Sequence, residues 1–293
     1  IAECLVGSEM CIRDSISKSQ DNLNIAYNNL EEYLADLKKA LTTDHPRYKT
    51  LGTKVGDEYI QLNTAIIQIE NEYYSSIRPK RLVGSGERPI NALRENGIEY
   101  VEIRALDNNI YDPFGISDET AIFLESFLFY CLLCEDQPCD ADEIIKIQNN
   151  WGKVVLSGRD ENTELQFKEG SAPLKERAIE ILDAMTNFED RIGDLGYRNI
   201  YKKSLESQRL KISDSNLTPS GKLLQDITES GLSWDEYTDQ IAKSHKEEIL
   251  KSKRDVDYLE EQAKKSLEEF SIKETQKEKD FDSFLAEYLS AIE

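Results

Sequence analysis

The sequence predicts an α+β protein in which a part containing strands is followed by a mainly helical part. Three observations support this prediction. Apolar and polar residues alternate from Ile98 to Leu106, apolar residues recur at helical spacing in most other segments, and the composition changes near residue 118. No linker rich in Gly, Ser or Pro marks the change, so we expect the second part to follow the first directly.

The first part is expected to begin with a helix and to end in a strand. From Asp21 to Leu41 a helical stripe is formed by Leu23, Ala26, Leu30, Leu34, Leu37 and Leu41. The segment from Tyr59 to Tyr74 is predicted to be a strand that leads into a turn. Ile77 to Pro89 holds two prolines and two glycines and is predicted to be a loop. From Ile98 to Leu106 we expect a strand with one apolar and one polar face.

The second part is predicted to consist of helices. The segments with a full or nearly full amphipathic pattern are Asp118–Glu135, Ala141–Gly152, Pro173–Ile192, Asn199–Leu205, Gly221–Ser230 and a long acidic stretch from Ser233 to the end. Within that last stretch, a helix packed along one apolar stripe is predicted from Ile249, Val256, Leu259, Ala263, Leu267 and Phe270.

The first fifteen residues, Ile1 to Ser15, do not resemble the sequence that follows them. They begin without an initiator Met and contain neither a basic leader nor a long apolar stretch, so they do not have the pattern of a signal peptide. We interpret them as a non-native or disordered leader, with a flexible native terminus as the alternative. The expected organisation is therefore a leader at 1–15, a sheet-containing part at 16–117 and a helical region at 118–293.

The charge balance limits the partners that this chain can have. Asp and Glu total 57 against 36 Lys and Arg, and the resulting formal net charge of -21 repels the phosphates of nucleic acid and the anionic face of a membrane. The longest apolar run, Phe127 to Cys134, is far shorter than the roughly 20 residues needed to cross a bilayer. We expect no nucleic-acid partner and no membrane span, and any bound anion must meet a local group of cations.

The five cysteines are too few and too scattered for the disulfide framework of a small secreted domain, which predicts a reducing, cytoplasmic setting. Cys131 and Cys134, with Cys139 nearby, lie in or beside an apolar helical run without a histidine at metal-ligand spacing. We expect buried thiols there, not a metal or redox site. His45 and His245 have no nucleophile near them in sequence, which disfavours a hydrolytic triad.

A basic cluster is the densest chemical signal in this acidic chain. Arg78, Lys80 and Arg81 fall within four residues and precede the glycine-bearing segment Gly84-Ser85-Gly86-Glu87. Cations beside a loop whose amides can approach an anion closely are suited to clamping a phosphate. A solvated basic loop is the alternative interpretation.

A carboxylate and a guanidinium are expected to project together from the predicted strand. The two-residue period of a strand puts Glu102 and Arg104 on one face and Val101 and Ile103 on the other, against the core. Such a pair can be a Mg²⁺ ligand beside an arginine that grips a phosphoryl or carboxylate oxygen. It can also be a structural ion pair, which is the commoner case.

These segments, at their spacing, closely resemble the proteobacterial type of glutamate–cysteine ligase. The residues that carry the resemblance are Gln68-Ile69-Glu70-Asn71-Glu72-Tyr73-Tyr74, Ile77-Arg78-Pro79-Lys80-Arg81, Gly97-Ile98-Glu99-Tyr100-Val101-Glu102-Ile103-Arg104 and Leu106-Asp107. Lys18-Ser19-Gln20, with Asn22-Leu23 and the helix after it, is also similar to that family, and the helical remainder is similar more loosely. The resemblance covers residues 16 to 293.

The resemblance implies a fold and a reaction. The fold is part of a glutamine synthetase-like antiparallel catalytic sheet followed by a helical region. In the family, ATP phosphorylates the γ-carboxylate of glutamate, and the amine of cysteine then displaces the phosphate to give γ-glutamylcysteine, with Mg²⁺ holding the anionic oxygens together. This is the first step of glutathione biosynthesis. ATP and Mg²⁺ are the implied cofactors, and glutamate and cysteine are the implied substrates.

The roles of individual residues also follow from the resemblance. Glu102 matches a Mg²⁺ ligand, and Arg104 matches a catalytic arginine that contacts the reacting phosphate or glutamate. Tyr74 matches a tyrosine of the cysteine-binding pocket. The basic segment that is expected to bind phosphate or nucleotide contains Arg78, Lys80 and Arg81.

This chain also departs from the family pattern. Full members have an N-terminal half that supplies further acidic Mg²⁺ ligands, a metal-binding histidine, and an arginine and a tyrosine for cysteine, and these have no counterpart here. The resemblance therefore implies a fragment that is inactive alone and needs the missing half to complete its site. Two alternatives are one subunit of a split ligase and a non-catalytic helical interaction protein.

Overall fold

The computed structural model describes residues 23–104, 106–135, 137–192, 198–251, 256–276 and 279–292. The leader expected at 1–15 lies outside these residues. The described part of the chain contains three two-stranded antiparallel sheets and eleven α-helices. This confirms the predicted α+β class, and none of the described helices is long and apolar enough to cross a membrane.

Helix α1 spans Leu30–Thr42 and starts later than the predicted Asp21. The side chain of Asn29 caps it by accepting a hydrogen bond from the amide of Glu32 at 2.8 Å. Asparagine is a preferred N-cap because its side-chain oxygen satisfies an amide that has no partner within the helix. The helix therefore begins at this cap, although the apolar stripe continues upstream of it.

A short helix and a small hairpin follow α1. Helix α2 spans Pro46–Leu51, and strands β1 (Lys54–Val55) and β2 (Glu58–Tyr59) pair with each other in antiparallel fashion. Beyond Tyr59, the strand predicted up to Tyr74 does not form, and the only regular element is a 3₁₀ turn at Glu70–Glu72.

Side-chain hydrogen bonds to the backbone explain why that strand is absent. The Gln68 side chain accepts from the amide of Leu62 at 2.6 Å, and Asn63 accepts from the amide of Ala65 at 2.8 Å. Gln68 also donates its own amide to the carboxylate of Glu72 at 2.7 Å. These local bonds occupy the donors that a sheet would need.

Strands β3 (Ile77–Lys80) and β4 (Tyr100–Ile103) form the sheet that carries the predicted site, and helix α3 (Pro89–Asn96) connects them. Their antiparallel register sets Ile77 opposite Ile103 and Arg78 opposite Glu102. The loop predicted for Ile77 to Pro89 is therefore wrong at both ends, since it begins with a strand and its last residue starts α3.

The remainder is mainly helical, as predicted, with one hairpin that the sequence pattern did not indicate. Its elements are α4 (Asp118–Leu133), α5 (Ala141–Ser157), β5 (Glu164–Phe167), β6 (Gly170–Pro173), α6 (Leu174–Ile192), α7 (Arg198–Ser213), a 3₁₀ turn (Ser215–Leu217), α8 (Pro219–Ser230), α9 (Trp234–Lys251), α10 (Val256–Thr275) and α11 (Phe281–Ser290). Strands β5 and β6 are joined by the two-residue turn at 168–169.

Two main hydrophobic clusters hold these elements together. The first includes Tyr33 and Leu37 of α1, Ile67, and Leu93 of α3. The second joins α4, α6 and α7 through Phe123, Leu124, Ala178, Leu182, Met185, Leu205 and Ile212. Ile103 of β4 packs against this second cluster, so contacts cross residue 118, and the boundaries at 117 and 118 stay a prediction.

The burial predicted for the cysteines is wrong. Cys131 and Cys134 are exposed, Cys139 is partly buried, and all three are free thiols. The last buried residue of α4 is Ser126, so the helix continues beyond the core that covers its first half.

The packed apolar stripe predicted near the C-terminus is also wrong. No residue of α10 is buried, and Val256, Leu259, Leu267 and Phe270 are all exposed. The spacing of these residues predicts the helix correctly. It does not determine which element, if any, covers the stripe.

Candidate functional site

The pairing of β3 with β4 brings most of the predicted site residues onto one face of the sheet. Because residues that face each other across an antiparallel pair project to the same side, Arg78 lies on the side of Glu102. The two-residue period then adds Lys80 from β3 and Arg104, which follows β4. Two segments more than 20 positions apart in sequence thus form one cluster, which we call the sheet-face cluster: Arg78, Lys80, Glu102 and Arg104.

Glu102 lies between two cations but is bound tightly by neither. Its Oε2 atom is 3.5 Å from Nζ of Lys80, and its Oε1 atom is 3.9 Å from Nε of Arg104. The Glu102 side chain is 37% exposed. Its Oε2 atom is itself buried and has no hydrogen-bond partner. Both ion pairs are longer than charge-assisted hydrogen bonds of about 2.7–2.9 Å, so the carboxylate keeps capacity for another ligand.

Arg78 is the buried cation of the sheet-face cluster. It is only 5% exposed, it donates from one terminal nitrogen to the carbonyl oxygen of Asn71 at 3.1 Å, and its Nε has no hydrogen-bond partner. Burial and then the nearby charge of Arg104 hold the pKa of Arg78 below its ordinary value, while Glu102 opposes this shift. A guanidinium that is buried yet poorly bonded is suited to an anionic ligand, which would satisfy its remaining donors.

Tyr74 also joins this site. The guanidinium carbon of Arg104 lies 4.7 Å from the centre of the Tyr74 ring. This distance is within the range of a cation–π contact, in which the negative ring face attracts the cation. Tyr74 and Arg104 are therefore in contact, although 30 positions separate them in sequence.

Arg81 does not join the sheet-face cluster. Its guanidinium donates to the carbonyl oxygens of Asn96 and Gly97, at 2.7 and 3.1 Å, and so caps the C-terminus of α3. A cation is favourable there because the last carbonyls of a helix lack partners and carry partial negative charge. The strand alternation that brings Lys80 to the cluster turns Arg81 away from it.

The glycine-bearing segment after Arg81 has one of its amides bonded within the loop. The amide of Gly84 donates to the carboxylate of Glu87 at 2.8 Å. The loop therefore occupies one of its own amides with an acidic side chain. The phosphate clamp stays a prediction, and of its three cations the two strand residues Arg78 and Lys80 lie on the face of Glu102.

The described residues offer only part of a metal site. Within them, no group of three or more His, Cys, Asp or Glu side chains could hold a metal ion. Glu102 fits the requirement for one ligand, because its Oε2 atom has no hydrogen-bond donor. Mg²⁺ prefers about six oxygen ligands, so Glu102 can supply one and other oxygens must come from elsewhere.

Two other features near the site were not predicted. Arg88 is almost fully buried and forms two hydrogen bonds with the carboxylate of Glu70, at 3.0 and 2.9 Å. No local pattern indicates that these residues, 18 positions apart, form a pair. Burial also raises the pKa of Asp107 to about 6, and that residue follows Arg104 closely in sequence.

The sheet-face cluster combines three cations with one loosely held carboxylate in a strongly acidic chain. Cations at this density attract phosphate or carboxylate oxygens, and a carboxylate among them can share a bound divalent cation with such oxygens.

Val101, which was expected to be buried on the opposite face, is 42% exposed, whereas Ile103 is partly buried as it packs on the second hydrophobic cluster. The apolar face of β4 is thus covered at one end only.

Comparison with known proteins gives one consistent result. A model of the family described as glutamate-cysteine ligase matches residues 13–154. The chain is 37% identical over 279 residues to the glutamate–cysteine ligase of Pseudomonas fluorescens, covering 94% of this chain and 52% of the relative. It is 37% identical over 280 residues to that of Alcanivorax borkumensis, covering 93% of this chain and 53% of the relative.

Solved structures agree with the sequence relatives. The glutamate–cysteine ligase of Francisella tularensis in complex with AMP superposes with a TM-score of 0.85 at 30% identity, covering 94% of this chain and 55% of that one. A bifunctional glutathione synthetase from Pasteurella multocida shares the fold, with a TM-score of 0.54 at 16% identity. The chain therefore spans about half the length of these sequence relatives.

Proposed function

Because this chain belongs to the glutamate–cysteine ligase family, we propose that it is part of an enzyme that makes γ-glutamylcysteine from glutamate, cysteine and ATP. The observation that carries the proposal is the sheet-face cluster. In it, the buried Arg78 lacks a partner for Nε, and Glu102 lies between Lys80 and Arg104 without a tight bond to either.

The reaction needs cations at the point where negative oxygens come together. An oxygen of the glutamate γ-carboxylate attacks the γ-phosphorus of ATP, and the bond to ADP breaks. The cysteine amine then attacks the acyl carbon, phosphate leaves, and the amine loses a proton. Arg104 would contact the acyl phosphate or the carboxylate, and Arg78 and Lys80 would bind phosphate oxygens. Fixed cations of this kind stabilise the charge that develops in the transition state.

Glu102 would provide one carboxylate ligand to Mg²⁺. The metal, when bound, supplies positive charge to the phosphate oxygens. Arg78 and Arg104 lie on the same face of the sheet as Glu102, so they would orient the anions there. The ring of Tyr74, against Arg104, would line the part of the site that receives cysteine. We assign Arg81 to the capping of α3 and not to phosphate binding.

Nucleotide binding is supported by the Francisella tularensis relative, which was solved in complex with AMP. The other Mg²⁺ ligands and the rest of the cysteine pocket would come from the half of the relatives that has no counterpart in this chain. We therefore propose that residues 16–293 are inactive alone and that the N-terminal half of the family completes the site.

The free thiols of the described cysteines fit a reducing, cytoplasmic setting.

A fusion protein tests this proposal. The unmatched half of the Pseudomonas fluorescens relative is joined to residues 16–293 of this chain, and γ-glutamylcysteine and ADP are measured. The fusion should form both products, and this chain alone should form neither. In the fusion, Glu102→Gln, Arg104→Ala and Arg78→Gln should each lower kcat by about 100-fold or more, the size expected when a charge-stabilising group is lost.

Arg209→Gln is the matched control, because the ion pair of Arg209 with Asp183 and its hydrogen bond to Thr186 join α7 to α6, and neither partner belongs to the sheet-face cluster. This variant should retain the turnover of the parent fusion. Product formation by this chain alone, or near-normal turnover of the Glu102 and Arg104 variants, would contradict the assigned roles. A folded but inactive parent fusion would also count against them.

A further inference from the structure

The C-terminal helix α11 packs against the part of the chain that carries the sheet-face cluster. Leu285 of α11 is buried, and Nδ2 of Asn91 in α3 donates to the carbonyl oxygen of Ala291 at 2.6 Å. Asp282 forms an ion pair with Lys54 of β1 at 3.1 Å. These contacts join residues that are about 200 or more positions apart in sequence, so α11 closes a long loop of the chain.

Arg88 is the centre of this interface. Its side chain is fully buried, and Nε and one terminal nitrogen bind the two oxygens of Glu70 at 3.0 and 2.9 Å. The other terminal nitrogen donates to the carbonyl oxygen of Tyr288 at 3.3 Å, and the guanidinium lies 4.3 Å from the centre of the Tyr288 ring. All three nitrogens are therefore used, in contrast to the poorly bonded Arg78.

Glu70 is the first residue of the segment 70–74, which contacts both arginines of the sheet-face cluster. The next residue, Asn71, provides the carbonyl oxygen that accepts from Arg78 at 3.1 Å. Tyr74, near the end of the same segment, provides the ring that contacts Arg104. The segment 70–74 thus contacts α11 through Glu70 and Arg88, and contacts the site through Asn71 and Tyr74.

From this chain of contacts, we propose that Arg88 is a positioning residue that couples α11 to the two arginines of the site. Glu70 and Arg88 fix the segment 70–74, and this segment fixes Arg78 and Arg104 at the spacing that an anion requires. Only a planar fork can bind both carboxylate oxygens and still stack on Tyr288, so a lysine cannot replace Arg88 in this role. The consequence for catalysis rests on the proposed function, whereas the coupling itself does not.

Hydrogen exchange measured by mass spectrometry on this chain tests the coupling directly. Arg88→Lys keeps the charge but removes the fork, and Tyr288→Leu removes the ring. Both Tyr288→Leu and Tyr288→Phe keep the backbone carbonyl of residue 288 that accepts from Arg88. Tyr288→Phe also keeps the ring, so it is the conservative control for the second variant. Glu287→Gln removes an exposed ion pair between α11 and Lys279, which precedes the helix, and controls for a general loosening of α11.

Arg88→Lys and Tyr288→Leu should each speed exchange in peptides that cover 70–80 by about tenfold or more, while peptides of α6 keep their parent rates. Tyr288→Phe and Glu287→Gln should leave both regions unchanged. Unchanged exchange at 70–80 in the two disruptive variants would overturn the coupling. So would equal acceleration in all peptides, because that is the result of a residue that only supports overall stability.

In the ligase fusion, Tyr288→Leu should lower kcat and raise KM for ATP together, and Tyr288→Phe should restore both values. Loss of the exchange effect refutes the coupling even if the fusion is active. An inactive parent fusion refutes the proposed function but leaves the exchange result standing. The two failures are therefore distinguishable.

Discussion

The same substitution should have a large effect on stability at one buried arginine of the first part, Arg88, and little effect at the other, Arg78. Arg88 is paired with Glu70 through both oxygens, so Arg88→Met leaves a carboxylate whose side chain is only 6% exposed without its partner. Removing one member of a buried ion pair destabilises a protein by about 3–5 kcal/mol. At roughly 2–4 °C of Tm per kcal/mol in large domains, Tm should fall by about 6 °C or more.

Arg78→Met makes the same chemical change at an equally buried position. The variant loses one hydrogen bond, to Asn71, of about 1.5–3 kcal/mol, but it also removes a buried charge whose burial costs several kcal/mol and which Arg104 repels. These effects nearly cancel, so the free energy of unfolding should change by no more than about 1 kcal/mol. The function-bearing arginine is thus expected to add little to stability.

Urea unfolding followed by circular dichroism, with calorimetry for Tm, measures both variants under identical conditions. The double variant Glu70→Leu with Arg88→Met should recover most of the lost stability, because an apolar pair of similar volume needs no charge compensation. Equal destabilisation by the two Met variants would refute the reasoning, since it would mean that the bonding of a buried arginine does not determine its contribution.

Three further predictions concern other positions. Burial raises the pKa of Asp107 to about 6, so the contribution of its protonated form to stability is full below about pH 4 and is lost as the pH rises through 6. At pH 7 the buried carboxylate is charged, and at pH 4 it is protonated. Asp107→Asn, which cannot be charged, should therefore raise Tm at pH 7 and not at pH 4. Although Cys131 is exposed as a residue, its neighbours keep water from part of the thiol, and this loss of water and then Cys134 raise the pKa of the Cys131 thiol. Iodoacetamide at pH 8 should therefore label Cys131 more slowly than Cys134, as peptide mapping would reveal. Arg81→Ala should lower Tm by a few degrees but leave kcat of the fusion unchanged, because Arg81 caps a helix; a drop in kcat comparable to that of Arg78→Gln would return Arg81 to the site.

Elements whose signals are local could be predicted well. Helix α4 begins at the predicted Asp118 because Ser117 caps it, accepting from the amide of Thr120. The face of the strand that carries Glu102 and Arg104 follows from a period of two, and the structure agrees. The start predicted for α1 at Asp21 was wrong, because the apolar stripe continues through residues that the Asn29 cap excludes from the helix.

Features that depend on distant partners could not be predicted. The cluster of Arg78 with Glu102 requires the register between two strands, which no single segment specifies. The Glu70–Arg88 pair and its contact with α11 require the fold of the whole chain. The exposed Cys131 follows the same rule, because an apolar run predicts burial without indicating where the covering surface ends.

The proline in β3 makes the two sides of the small sheet unequal. The amide of Arg104 donates to the carbonyl oxygen of Ser76 at 2.8 Å, so residues 76, 78 and 80 bond towards β4, and residues 77 and 79 direct their backbone groups outward. Pro79 has no amide hydrogen and offers only its carbonyl there. On β4, the outward residues Val101 and Ile103 each keep a donor and an acceptor. A third strand can therefore complete its ladder along β4 but must forgo a hydrogen bond along β3, so growth of the sheet is favoured in one direction.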